Sequence, residues 1–102
     1  MLVATISFRA QPHKSAELLS AVAEAVSRMR RTAGCGRCRL LQQVEHPHEF
    51  VLASEWVSTA EASAFLQARE FRVFRSVLTL MREPPIVEFD HIEARVTRVV
   101  PR

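Results

Sequence analysis

Trp56, Arg75 and His91 are the residues of this chain with the most chemistry to offer. The indole of Trp56 brings one N–H donor and a flat apolar wall. Arg75 carries a permanent cation that could hold an anion. His91 is the only one of the four histidines inside an expected strand or helix, so it is the best proton acceptor available. Ser54 shares a strand face with Trp56 and could hydrogen-bond a ligand. Phe65, Phe71 and Phe74 could supply aromatic lining beside Arg75. Each of these also has an ordinary reading. Trp56 suits a core or interface anchor, the phenylalanines suit the core, Arg75 a solvated helix face, and His91 a surface or subunit contact. His13, His46 and His48 read as loop and turn residues.

The two cysteines form Cys35-Gly36-Arg37-Cys38. A single C-x-x-C can be a redox pair, half of a zinc site or simple packing. A thioredoxin-type site sits at a helix N-terminus, whereas this one follows a helix and enters a strand. Zinc asks for about four ligands, and His46 and His48 fall at the far end of the strand. Packing is the leading reading, a labile disulfide the second and a metal the last, so no metal ligands are expected.

The elements that must position these groups follow from periodicity. Residues 2–10 alternate as a strand, with Leu2, Ala4, Ile6 and Phe8 forming a wholly apolar face. Residues 15–33 read as a helix with the stripe Leu18, Leu19, Val22, Val26 and Met29, closed by Gly34 at the C′ position. The arginines at 28, 30 and 31 suit its C-terminal end. A second strand is expected over 38–45. Glu45-His46-Pro47-His48 is a turn, and Phe50, Leu52, Ser54 and Trp56 share one face of a third strand. Ser58-Thr59-Ala60-Glu61 fits a capping box opening a helix over 59–68. A second helical piece over 71–81 carries Phe71, Phe74, Leu78 and Met81 on one face, and Pro84-Pro85 ends it. Residues 86–100 read as a long extended segment whose alternation changes phase near His91-Ile92, implying a bulge. Fifteen residues would span roughly 50 Å, more than a small sheet needs, so its end is expected to reach a partner subunit. The order β-α-β-β-α-β is ferredoxin-like.

At 102 residues the chain is expected to be one domain spanning 1–102. Hydrophobic residues make up 48% and charged residues 25%, which is the soluble globular range. No apolar run approaches the ~20 residues of a membrane helix, and the start lacks signal-peptide features. A cytoplasmic protein without membrane contact is the expectation. Thirteen of the fourteen basic residues are arginine and the net charge is +3. No aromatics interleave with Arg28, Arg30, Arg31, Arg37 and Arg39, so nucleic-acid binding is not expected.

The order of motifs resembles the antibiotic biosynthesis monooxygenase family of small dimeric α+β barrels. Gln11-Pro12-His13-Lys14, Thr32-Ala33-Gly34-Cys35, Glu45-His46-Pro47, Phe50-Val51-Leu52 through Glu55-Trp56, and Arg82-Glu83-Pro84-Pro85 carry the resemblance together. It implies an antiparallel sheet in a ferredoxin-like fold and a homodimer joined through the sheet and the C-terminal strand. It also implies a pocket between sheet and helices for a small aromatic ligand. Some members oxidise polycyclic phenols to quinones with dioxygen and no cofactor. In that chemistry Arg75, His91 and Trp56 are the catalytic candidates, and Ser54, Phe65, Phe71 and Phe74 the substrate-binding ones. Haem-degrading relatives place asparagine, tryptophan and an iron-binding histidine where this chain has Ile6, Phe65 and Arg75. A guanidinium is no ordinary iron ligand, so haem is not expected. The alternatives are a non-catalytic binder or structural dimer, or an isomerase or lyase on a small oxygenated metabolite.

Overall fold

The structure is a computed structural model that describes residues 1–68, 72 and 75–102. Its elements are β1 (Leu2–Arg9), α1 (Ser15–Met29), β2 (Cys35–Gln42), β3 (Glu49–Trp56), α2 (Thr59–Gln67), a 3-10 turn (Leu78–Leu80) and β4 (Ile86–His91). The four strands form one antiparallel sheet in the order β2-β3-β1-β4. This is a ferredoxin-like α+β fold. Among the described residues no helix is long and apolar enough to cross a membrane.

One face of the sheet makes the core. Leu2, Ala4, Ile6 and Phe8 on β1 and Phe50, Leu52, Ser54 and Trp56 on β3 are all buried, as strict alternation requires. They pack with Leu18, Val22, Ala25, Val26 and Met29 of α1 and with Ala62 and Phe65 of α2. Ala25 replaces the expected Leu19, which is 37% exposed; the stripe leans toward the i+7 position rather than i+1. Phe8 and Phe50 stack with ring centroids 5.5 Å apart. Each large side chain buried in this way contributes roughly 1.5–3 kcal/mol. The opposite face carries Thr5, Ser7, Arg39, Leu41, Val51 and Ala53, and Leu41 remains 50% exposed.

Boundaries of α1, β2 and β4 differ from the sequence expectation, and β2 also ends at Gln42 rather than residue 45. α1 ends at Met29, four residues early. The Thr32 hydroxyl donates to the Arg28 carbonyl and the Arg31 and Thr32 amides turn back to Arg28 and Met29. These bonds tighten the last turn, and Gly34 then takes φ +85° in the following loop. β2 begins at Cys35 rather than residue 38, because the Cys-x-x-Cys segment pairs with the end of β3 through a bulge. The bulge expected near His91-Ile92 gives way to a strand end. β4 stops at His91, and residues 92–102 form no regular element. Alternation continues in that tail, but among the described residues no strand pairs with it. Of the second helical piece expected over 71–81, Arg72 and Arg75 are helical and the 3-10 turn follows. Phe71 and Phe74 lie outside the described residues.

Candidate functional site

The register places the candidate side chains in two neighbouring rows on the helix-facing side of the sheet. Cys35, Trp56, Leu2 and His91 are opposite one another across β2, β3, β1 and β4. The next row on that face is Cys38, Ser54, Ala4 and Phe89. Trp56 and His91 are therefore two strands apart, roughly 10 Å. Ala4 and Ser54 are the smallest residues of the two rows, and both are buried, at 5% and 2% exposure. Phe89 is 45% exposed and His91 is exposed.

Trp56 stands at the end of β3 because its face alternates with Phe50, Leu52 and Ser54. Its indole N–H donates to Ser54 Oγ at 2.9 Å, and that hydroxyl lies 3.5 Å from the Ala4 carbonyl as its donor. These two polar groups thus satisfy each other inside the core, where an unmade hydrogen bond would be costly. The Phe65 ring meets the Trp56 ring at 5.2 Å between centroids, tilted by 33°. Hollows flank this aromatic pair on two sides. One, of about 330 Å³, is bounded by Met1, Gly36, Glu55, Trp56 and Val57. The other, of about 480 Å³, is bounded by Arg31, Thr32, Glu61, Ala64, Phe65 and Ala68.

Glu61 was not among the candidates from sequence. There it reads as the closing glutamate of the capping box Ser58-Thr59-Ala60-Glu61, and half of that box forms: Ser58 Oγ accepts from the Glu61 amide at 3.4 Å. The carboxylate lies instead over Gly34, and its Oε2 is buried without a hydrogen-bond partner among the described residues. Nothing in the sequence distinguishes a capping glutamate that reaches back from one that crosses to a loop. Arg75 lies on the helical stretch before the 3-10 turn and is exposed. Trp56, Ser54 and Phe65 are thus brought together, and His91 shares their face from the sheet edge.

His13, His46 and His48 lie at the other end of the sheet. His48 Nδ1 is 2.7 Å from the Ser15 hydroxyl. No group of three or more His, Cys, Asp or Glu side chains that could hold a metal occurs among the described residues. Both cysteines are free thiols. Burial, and secondarily the neighbouring Cys35, push the Cys38 thiol from 9.0 up to about 11. A thiol held protonated in the folded chain stabilises it fully below pH 9, and that contribution is lost as pH rises through 11. The urea midpoint is expected to fall over that window, and Cys38→Val to flatten the fall. An equal fall in the variant would contradict this assignment.

The comparisons with known proteins agree with this geometry. The family profile described as antibiotic biosynthesis monooxygenase matches residues 1–77. Among curated proteins, none matches the chain. Among solved structures, the chain is similar to a candidate antibiotic biosynthesis monooxygenase from Nitrosomonas europaea. The TM-score is 0.87 at 21% identity, covering 92% of this chain and 100% of that one. A like-described protein from Deinococcus radiodurans gives a TM-score of 0.88 at 12% identity, covering 97% and 99%. A third, from Bordetella bronchiseptica, gives 0.76 at 25% identity, covering 91% and 98%. The ferredoxin-like sheet with Trp56 closing β3, together with the profile match over three quarters of the sequence, makes this chain a member of the antibiotic biosynthesis monooxygenase family.

Proposed function

We infer that this protein is a cofactor-independent monooxygenase that oxidises a flat aromatic, polyketide-like small molecule with dioxygen as co-substrate. The observation that supports it most is the Trp56–Phe65 aromatic pair with a hollow of about 330 Å³ on the Trp56 side and one of about 480 Å³ on the Phe65 side, in a chain of this family. Aromatic faces of this kind suit a planar ring, and apolar walls exclude water from it. In this reading His91 takes the phenolic proton and Arg75 steadies the resulting anion. The anion gives one electron to dioxygen, and the two radicals join through a carbon–oxygen bond. Loss of water from the hydroperoxide leaves a quinone carbonyl. One oxygen atom ends in the product and the other in water, so no external reductant is consumed.

The protein works as a homodimer in this reading. Among the described residues no helix lies over the sheet face bearing Thr5, Val51 and Ala53, and the 92–102 tail carries Val96, Val99 and Val100 at 76–89% exposure. Both suit a second copy. The test is oxygen consumption with anthrone-type substrates by full-length protein whose dimeric mass has been checked by sedimentation. Wild type is expected to turn over and Arg75→Ala to lose at least about tenfold in rate, the lower range for one charge-stabilising group. No turnover across a broad phenol panel would overturn the reading.

The mutual bond between Trp56 and Ser54 favours a second reading, a non-catalytic binder of a planar molecule. It leaves Ser54 as the one buried polar side chain among the described core residues. Thermal stabilisation by an aromatic ligand without oxygen uptake would select it.

A further inference from the structure

The bulge in β2 turns both cysteines toward the core side that carries Met29. Pairing with β3 passes from Cys35 opposite Trp56 to Cys38 opposite Ser54, so three residues of β2 advance against two of β3. In a regular strand, residues three apart face opposite ways; the extra residue turns both cysteines to the helix-facing side. Cys35 packs against the core cluster that holds Cys38 and Met29, with its Sγ 3.8 Å from the Gly36 carbonyl. Cys38 Sγ lies 4.0 Å from the Sδ of Met29, the last residue of α1. Cys38 and Met29 are 4% and 3% exposed, while Cys35 is half-buried and opens the cluster toward solvent.

This spacing suits a cation better than a disulfide. Metal–sulfur bonds of about 2.3 Å in a trigonal plane set the sulfur atoms about 4 Å apart. A two-residue step along β3 is roughly 6.5–7 Å, at or beyond the long end of the Cα separations, about 4.4–6.8 Å, that a disulfide bridges. Two thiols and a thioether are a soft set, of the kind that selects copper(I). Zinc would ask for a fourth ligand. Two thiolates and one monovalent cation leave a single negative charge. The Arg30 guanidinium is placed to offset it, since it donates two hydrogen bonds to the Cys38 carbonyl at 3.1 and 3.0 Å. Glu55 approaches Cys35 from β3, and Arg37 lies 3.9 Å from its carboxylate.

We propose that Met29, Cys35 and Cys38 form a trigonal site for one soft monovalent cation, copper(I), at the junction of α1 and β2. Binding releases two thiol protons to water and changes no oxidation state. The occupied site ties the end of α1 to the strand beside Trp56.

The test is an anaerobic titration of reduced, full-length protein with copper(I) in competition with bathocuproine disulfonate. One equivalent per chain is expected to be withheld from the chelator, with a rise in Tm and a change in Trp56 fluorescence. Cys35→Ser is expected to abolish retention. Met29→Leu conserves volume and keeps the fold, and is expected to weaken retention roughly tenfold, the lower range for losing support at a metal site. Circular dichroism checks that both variants are folded. No retained copper, equal retention by folded Cys35→Ser or Met29→Leu, or tighter retention of zinc than of copper(I) would each overturn the site.

Discussion

Trp56→Ala is expected to remove about 3–5 kcal/mol of stability, the range for deleting a large buried aromatic. Trp56 is 2% exposed, closes β3, faces Phe65 at 5.2 Å and holds Ser54 Oγ through its N–H. Alanine leaves a cavity under Phe65 and takes the donor from a buried hydroxyl. A domain of this size has about 5–15 kcal/mol in all, so the variant stands near the edge of folding at 37 °C. Trp56→Phe keeps most of the ring area and loses the N–H, so it is expected to cost only about 1–2 kcal/mol, mostly the unmet hydroxyl. Urea denaturation of the three proteins measures both steps. If alanine and phenylalanine cost the same, the ring is not the anchor that the core geometry describes. A variant stable within about 1 kcal/mol of wild type would place Trp56 outside the load of the core and leave ligand contact as its role.

The sequence pattern revealed the two central strands well because both are bound to neighbours on both sides. β1 and β3 alternate without a fault over Leu2–Arg9 and Glu49–Trp56, and every inward residue is buried. The edges were harder. On β2 the extra residue at Cys35/Cys38 has no pattern of its own, so the Cys-x-x-Cys spacing concealed which way each thiol faces. On β4 all six residues are exposed in the single chain, and nothing in their composition marks where pairing stops at His91. Valine-rich alternation expresses extended propensity, and only a partner strand turns it into structure. The site divides along the same line. Trp56, Ser54 and Phe65 were legible because they belong to well-patterned elements. The row shared by Trp56, Leu2 and His91 depended on register, which a sequence with a wrongly placed bulge does not disclose.

Ala4 shows why register matters for function as well as fold. In sequence it is one more small apolar residue of an inward face. In the sheet it lies between Ser54 and Phe89 and directly beside the Trp56–Leu2–His91 row. Ala4 is 5% exposed and packed in the core, so a larger residue there would press on the rows that carry Trp56 and Phe89 without touching any group with acid–base chemistry. Shape at this position is therefore separable from the chemistry assigned to Arg75 and His91.

Gly34→Ala is the second large effect, and Glu61 decides how large. Gly34 has φ +85°, a conformation that costs a residue with a Cβ roughly 1–2 kcal/mol. The added methyl would also stand 2.6 Å from Cδ and Oε2 of Glu61. That carboxylate must then turn out of its buried position about its side-chain bonds, while the Glu61 amide stays on Ser58 at the helix start. The two costs together are expected to reach about 2–4 kcal/mol, the range for a strained backbone plus overpacking. Glu61→Ala is expected to be neutral or slightly stabilising, since it removes a buried oxygen with no partner among the described residues. In that background Gly34→Ala should cost only the backbone share, about 1–2 kcal/mol. Urea midpoints for the two single variants and the double variant close the cycle. A coupling of about 1 kcal/mol or more is the expected result. If Gly34→Ala costs the same with and without the Glu61 side chain, the carboxylate does not rest on that loop. The hollow beside Phe65 would then be shaped by something other than the contact between Glu61 and the end of the first crossover.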